Sequence, residues 1–204
     1  TIKEAKDPGN IPASLIQVDG LLGQIIDFYE RGAHRSQPEL AIASALAMCG
    51  TLMGRKVEGH LNTRTNVYLV GLGPSGCGKD RARKGNISIL EHAGLMEFMP
   101  CEDVASGAGL LDAVAAHPAM LLMIDEIHKT LAATKDAGRN PHMFEVIGIL
   151  LKLFSSSSST YLGKAMAGSK RDTRINQPCL SLYGTGIPEG VWKSLTVDQL
   201  SDGF

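Results

Sequence analysis

The sequence predicts an α/β fold in which helices cover both faces of a parallel central sheet. Three observations predict this class. A glycine-rich turn, Gly73–Asp80, lies between an apolar stretch and a segment with helical character. Residues 119–126 form an apolar run that ends in two carboxylates, and a second buried-type run covers Cys179–Tyr183. Continuous apolar runs of this length are typical of strands buried on both faces of a parallel sheet.

Composition sets limits on the class of protein. The chain has 204 residues, 44% of them hydrophobic, which suits one globular domain with an ordinary core. The net charge of −1 gives no global indication of nucleic-acid binding, so any such contact needs a local basic patch. The sequence has no apolar run long enough to span a membrane, and we expect no membrane partner. The 4 cysteines form no C-x-x-C pair, which predicts reduced thiols in a cytoplasmic protein rather than a zinc site.

The first 60 residues are predicted to form a linker and helices that pack on a core of residues 61–204. Residues 14–33 carry apolar side chains at helical spacing. Residues 36–39 read Ser-Gln-Pro-Glu, a pattern typical of a helix start, and we expect that helix to cover Leu40–Met53.

The glycine-rich turn fits the phosphate-binding pattern G-x-x-x-x-G-K. Residues 67–70 before it are apolar and β-branched, and residues 81–92 after it predict a helix, which is the context that the pattern needs. The glycines let backbone N–H groups point at an anion, and the helix N-terminus adds positive potential. Lys79 would contact the β- and γ-phosphates of ATP. The residues expected to hold the nucleotide are Gly73, Pro74, Ser75, Gly76, Cys77, Gly78, Lys79 and Asp80.

Asp80 departs from the usual pattern, which closes with serine or threonine. A carboxylate is a charged oxygen ligand that Mg²⁺ accepts readily, so Asp80 is a predicted metal ligand. Its charge should also weaken the binding of metal-free nucleotide. A site that binds ATP without hydrolysing it is the alternative, which the retained Lys79 and Glu126 argue against.

The apolar run 119–126 ends in Asp125 and Glu126. The C-terminal edge of a parallel sheet is where open α/β folds bind ligands. Asp125 would hold Mg²⁺, and Glu126 would act as general base towards the attacking water. Solvated acids at a strand end are the alternative, and the phosphate-binding pattern upstream favours the functional interpretation.

The remaining elements follow from local signals. A weak strand is predicted over Glu97–Cys101, and helices over Gly109–His117 and Pro141–Phe154. A β-hairpin is expected between Tyr161 and Asn176, and a last helix over Pro188–Leu195.

The predicted hairpin is basic. A solvated turn would explain this composition, but the position between two core strands makes the hairpin a candidate contact for single-stranded DNA. The cations concerned are Lys164, Lys170, Arg171 and Arg174.

The order of these elements resembles the AAA+ division of the P-loop ATPases, with a three-layer, RecA-like core. In that division the glutamate after the metal-binding aspartate is the catalytic base, here Glu126. A polar "sensor 1" residue on a later strand contacts the γ-phosphate or the attacking water, and Thr185 matches that position. The resemblance therefore implies Lys79, Glu126 and Thr185 as catalytic residues and ATP with Mg²⁺ as cofactors.

The hairpin before the sensor strand looks like the one with which superfamily 3 helicases grip DNA in the pore of a ring. Four segments are also similar to a family of phage and prophage P-loop proteins, often attached to primase-polymerase modules. The resemblance implies an ATP-driven helicase of phage replication, acting as a hexameric ring on single-stranded or forked DNA in the bacterial cytoplasm. The segments are Arg64–Tyr68, Gly73–Asp80, Leu150–Ser156 and Gly184–Gly190.

Two other classes stay open. A helicase loader or assembly scaffold would use ATP to switch partners without translocating. A small-molecule kinase is disfavoured because it usually lacks the Asp-Glu strand end followed by a long helix and a basic hairpin. In the AAA+ arrangement a fifth strand follows sensor 1, whereas the residues after Thr185 offer only a helix and a polar tail. We therefore expect the chain to be a fragment that ends before that strand.

Overall fold

The computed structural model describes residues 9, 11–135, 138, 140–164 and 174–195. The helices in chain order are α1 (Ala13–Ile16), α2 (Gly20–Arg31), α3 (Pro38–Met53), α4 (Asp80–His92), α5 (Gly107–Ala116), α6 (Ile127–Ala133), α7 (Pro141–Ser155) and α8 (Pro188–Ser194). The strands are β1 (Tyr68–Leu72), β2 (Ala119–Ile124), β3 (Thr160–Tyr161), β4 (Ile175–Asn176) and β5 (Cys179–Gly186).

The central sheet places β5 between β1 and β2, and all three strands are parallel. Leu72 at the end of β1 is opposite Gly186, and Ile124 at the end of β2 is opposite Gly184. The three strands therefore finish at one edge of the sheet, although they are far apart in sequence. The predicted α/β class with a parallel central sheet is confirmed, while the assignment to AAA+ stays a prediction.

Successive residues of β2 face opposite sides of the sheet, as the period of a strand requires. Met120, Leu122 and Ile124 join a core cluster with α5, α6, α7 and α8. Leu121 and Met123 join a second cluster with α2, α3 and α4. Helices thus cover both faces, which explains why the predicted strands are continuously apolar.

The alanine-rich α3 lies against all three central strands. Ala41, Ala45 and Ala47 are at most 1% exposed. A Cβ built on Gly50 would lie 2.4 Å from the backbone oxygen of Thr65. The small side chains therefore let the helix approach the sheet closely.

Two local predictions are wrong. The predicted strand over Glu97–Cys101 is absent, and Met96–Phe98 forms a single 3-10 turn instead. Pro100 removes one ladder donor from this segment, and its apolar run is too short to compete with local turn bonds. The helix predicted over Leu40–Met53 is confirmed and begins two residues earlier, at Pro38, but the predicted capping by Ser36 is wrong. Pro38 takes the first helical position, which suits its fixed φ, so Ser36 lies too early to cap the helix and bonds to Glu30 instead.

The base of the predicted hairpin is confirmed, because Thr160 pairs with Asn176 and Tyr161 with Ile175 in antiparallel register. Residues 165–173, between β3 and β4, and the tail 196–204 lie outside the described residues. The short helix α6 directly after Glu126 was not predicted from the sequence. Within the described ranges, no helix combines the length and the apolar character needed to cross a bilayer.

Candidate nucleotide-binding site

The glycine-rich loop Gly73–Asp80 connects the end of β1 to α4. The backbone N–H of Gly73 donates to the carbonyl oxygen of Gly186 at 3.1 Å. The loop is therefore attached at its first residue to the end of β5, the strand that also carries Thr185.

The glycine spacing of the loop is explained by its backbone. Gly76 and Gly78 have φ values of 72° and 95°, in the left-handed region that favours glycine. A Cβ on Gly73 would lie 2.6 Å from the Sγ of Cys77, which is itself buried. Gly76 faces open space, with no atom within 4 Å of a Cβ built there. Backbone that alternates between positive and negative φ, as at Gly76, Cys77 and Gly78, points successive N–H groups into a concavity that can bind an anion.

Lys79 ends the loop and is partly exposed. Its ammonium group forms no ion pair or hydrogen bond with any residue that the structure describes. Pro74, Ser75 and Gly76 are also exposed. The loop and its lysine are therefore open to a ligand from solvent.

Asp80 begins α4 and points towards cations of its own helix. Its Oδ2 lies 3.3 Å from the Nζ of Lys84, and its Oδ1 lies 3.7 Å from the Nε of Arg83. Oδ1 is buried and has no hydrogen-bond partner. An orphaned buried carboxylate oxygen beside the phosphate loop fits a metal ligand, and that role stays a prediction.

Asp125 is held in place by the neighbouring strand. The hydroxyl of Thr185 donates to its Oδ1 at 2.9 Å, and the backbone N–H of Glu126 donates to the same oxygen at 2.8 Å. Thr185 is only 1% exposed, whereas Asp125 is exposed to solvent. The contact therefore fixes one oxygen of Asp125 and leaves Oδ2 without a hydrogen bond among the described residues.

Glu126 links β2 to α6 in a left-handed conformation, with φ 50°. A residue other than glycine in this region carries about 1 kcal/mol of backbone strain or more. Its exposed carboxylate forms an ion pair with Lys129, and hydrogen bonding to that carboxylate raises the pKa of the Lys129 ammonium. The strained turn directs the Glu126 side chain outward rather than into the core.

No group of three or more His, Cys, Asp or Glu side chains is gathered into a metal site within the described ranges. Asp80 and Asp125 are thus two separate carboxylates, of which Asp80 has a buried oxygen without a hydrogen-bond partner and Asp125 is exposed to solvent. Mg²⁺ needs only one or two protein carboxylates when phosphates and water supply its other ligands.

The candidate DNA contacts are only partly described. Lys164 donates to Glu145 at 2.7 Å and is 65% exposed. Arg174 is exposed and has an interaction partner of its own. Lys170 and Arg171 lie outside the described residues. DNA binding by this hairpin stays a prediction.

Arg81 was not predicted to contribute to the site. Its guanidinium donates to the carbonyl oxygens of Tyr29 and Phe28 and lies 5.4 Å from the centre of the Phe28 ring. These carbonyls belong to the last turns of α2, where a cation is favourable. Arg81 therefore attaches the N-terminal helices to the helix that follows the loop, and no local sequence signal indicates this contact.

Beside this contact lies a small cleft that is open to solvent. It is lined by Arg35, Gln37 and Gly78, among others. The α2–α3 connection therefore lies against the end of the glycine-rich loop.

Neither a scan against protein-family models nor a search of curated proteins found a match to this chain.

Proposed function

We propose that this chain is a Mg²⁺-dependent ATPase whose active site lies at the carboxyl edge of the β1–β5–β2 sheet. The observation that carries the proposal is the hydrogen bond from Thr185 to Asp125, made at the edge where Gly73 bonds to Gly186. The glycine-rich loop after β1, Thr185 on β5 and Asp125 after β2 were expected from the sequence to act together, and they belong to adjacent strands of the sheet.

In this mechanism the glycine-rich loop binds the phosphates of ATP, and the carboxylates that follow β2 catalyse their hydrolysis. Backbone N–H groups of Gly73–Asp80 and the Lys79 ammonium hold the phosphates. Asp125 and Asp80 would hold the Mg²⁺ that accompanies ATP, which would supply positive charge against the phosphates. Thr185 orients Asp125 through its hydrogen bond.

Glu126 accepts the proton of the attacking water in this proposal. Its exposed carboxylate lies at the left-handed turn between β2 and α6, where it is paired with Lys129, and it would have to leave that ion pair to approach a water above the sheet edge. Binding and proton transfer are then placed on different elements, which makes the two functions separable by mutation.

The finer proposal is that ATP hydrolysis moves the protein along DNA in phage or prophage replication, as a ring in the host cytoplasm. Its proposed partner is a primase-polymerase. This proposal is supported by the resemblance carried by the four segments and by the β3–β4 pairing, which starts a hairpin between α7 and β5. The alternative is a loader or scaffold that binds ATP and captures another protein without translocating.

The deciding experiment is ATPase turnover with and without single-stranded DNA. A motor should be stimulated by DNA. Neutralising Lys170, Arg171 and Arg174 together should remove the stimulation and preserve basal turnover. The same variant should show a smaller slope in a plot of the logarithm of the DNA-binding constant against the logarithm of the salt concentration. The magnitude of this slope should fall by about 0.7 for each phosphate that the protein no longer neutralises.

The matched control neutralises three exposed cations on other surfaces, Arg31, Lys152 and Lys193. It should leave DNA stimulation unchanged. ATPase activity that DNA does not stimulate would favour the loader, and a total lack of nucleotide binding would refute both.

A further inference from the structure

Arg83 contacts two carboxylates beside the phosphate loop. Its Nη1 donates to Glu102 Oε2 at 2.6 Å, while its Nε lies 3.7 Å from Asp80 Oδ1. The first contact is a strong charge-assisted hydrogen bond, and the second is too long to be one. The Arg83 side chain is only 14% exposed, so its charge is poorly screened by water.

The two facing atoms are unsatisfied. Asp80 Oδ1 and Arg83 Nε are both buried, and neither has a hydrogen-bond partner. A buried pair of opposite charge without a hydrogen bond is unfavourable compared with either a closed ion pair or an external ligand. Asp80 therefore keeps the capacity to bind a further cation, and Arg83 keeps the capacity to close on Asp80.

We infer that Arg83 is a positioning residue that competes with Mg²⁺ for Asp80, and that Glu102 weakens this competition by holding the guanidinium. The inference rests on the proposed function, because it takes Asp80 as facing the metal of bound Mg·ATP. It explains how a carboxylate is tolerated where the loop pattern has a neutral hydroxyl. When no metal is bound, Arg83 compensates the charge of Asp80. Glu102 holds the Arg83 guanidinium, which keeps Asp80 available to Mg²⁺.

Two substitutions should shift the Mg²⁺ requirement in opposite directions. Arg83→Gln removes the less exposed of the two cations beside Asp80 and leaves Lys84 in place, so the Mg²⁺ concentration for half-saturation should fall about fivefold. The same variant should bind metal-free nucleotide more weakly, because a cation near the phosphates is removed. Glu102→Gln releases the guanidinium towards Asp80, so half-saturation should need about fivefold more Mg²⁺. A merely structural role would weaken nucleotide binding in both variants and would not reverse the sign.

The measurement uses a fluorescent, non-hydrolysable ATP analogue bound to the whole chain and titrated with Mg²⁺, so that no turnover is needed. Both shifts should vanish in an Asp80→Asn background, since the competition acts through that carboxylate. Arg55→Gln, an exposed arginine outside this cluster, is the control and should leave the titration unchanged.

The outcomes separate this inference from the proposed function. Opposite shifts that depend on Asp80 support it. An analogue that binds with an Mg²⁺ dependence unchanged in both variants, or shifted in the same direction, overturns the inference alone. An analogue that does not bind the unsubstituted protein overturns both. If Arg83→Gln fails to fold, Glu102→Gln decides, because the Glu102 side chain is 52% exposed and tolerates the change.

Discussion

The two halves of the candidate site are built differently. The loop half, Gly73–Asp80, is formed by backbone, through the left-handed Gly76 and Gly78 and the bond from Gly73 to β5. The carboxylate half is formed by side chains, above all the bond from Thr185 to Asp125. A backbone site tolerates changes of side chain except at glycine and lysine, whereas a side-chain site depends on each hydroxyl and carboxylate. Substitutions in the loop half should therefore weaken ATP binding, whereas substitutions in the carboxylate half should slow ATP hydrolysis.

Removing the Lys79 ammonium, the positive charge of the loop half, should have the largest effect on ATP binding. Lys79→Ala should weaken ATP binding about 100-fold, because roughly 3 kcal/mol of charge-assisted bonding to phosphate is removed. Nucleotide titration by calorimetry measures it. Lys84→Ala, an exposed cation one turn further along α4, is the control and should keep most of the affinity. Equal losses in both variants would mean that general positive charge, rather than Lys79, holds the phosphates.

The carboxylate half should respond in turnover rather than in binding. Thr185→Val removes the hydroxyl that orients Asp125 and should lower kcat about tenfold, the size usual for residues that orient metal ligands. ATP affinity should stay within about twofold of the original value.

Thr134→Val is the matched control for that variant. Thr134 is also a buried threonine, but its hydroxyl bonds only to the carbonyl oxygen of Leu131 within α6. Its substitution should affect thermal stability and leave kcat unchanged. A similar fall of kcat in both variants would mean that Thr185 acts only through folding.

The smallest effect is expected at Lys129. Its ion pair holds Glu126 against α6, so Lys129→Gln should release the carboxylate and raise kcat about twofold. Steady-state kinetics at saturating ATP measure the change. A fall of tenfold would instead place the Lys129 ammonium in direct contact with the phosphates.

The sequence predicted much more of the loop half than of the carboxylate half. Local order was sufficient for β1, the loop and α4, because the glycine spacing and the flanking elements are consecutive in the chain. The contact between Thr185 and Asp125 needs β5 to lie beside β2, and pairing between strands that far apart is a tertiary property. The α6 turn and its ion pair were missed for another reason, since a short helix directly after a strand gives too little periodicity.

The surroundings of Asp80 combine contacts that the local sequence predicts with a contact that depends on the tertiary fold. Its ion pairs with Arg83 and Lys84 follow from i,i+3 and i,i+4 spacing and could have been predicted from the sequence. The hold of Glu102 on Arg83 could not, because the intervening segment was predicted as a strand and is a 3-10 turn followed by a loop.

The most direct test of separate binding and catalytic halves is the Glu126→Gln variant. Glutamine keeps the size of the side chain and removes only the proton acceptor. Calorimetry with ATP and Mg²⁺, followed by phosphate release on the same sample, gives both quantities. We predict that ATP affinity stays within about threefold of the original while hydrolysis falls at least about 100-fold. Hydrolysis that persists at the original rate, or binding that disappears together with it, would contradict the account.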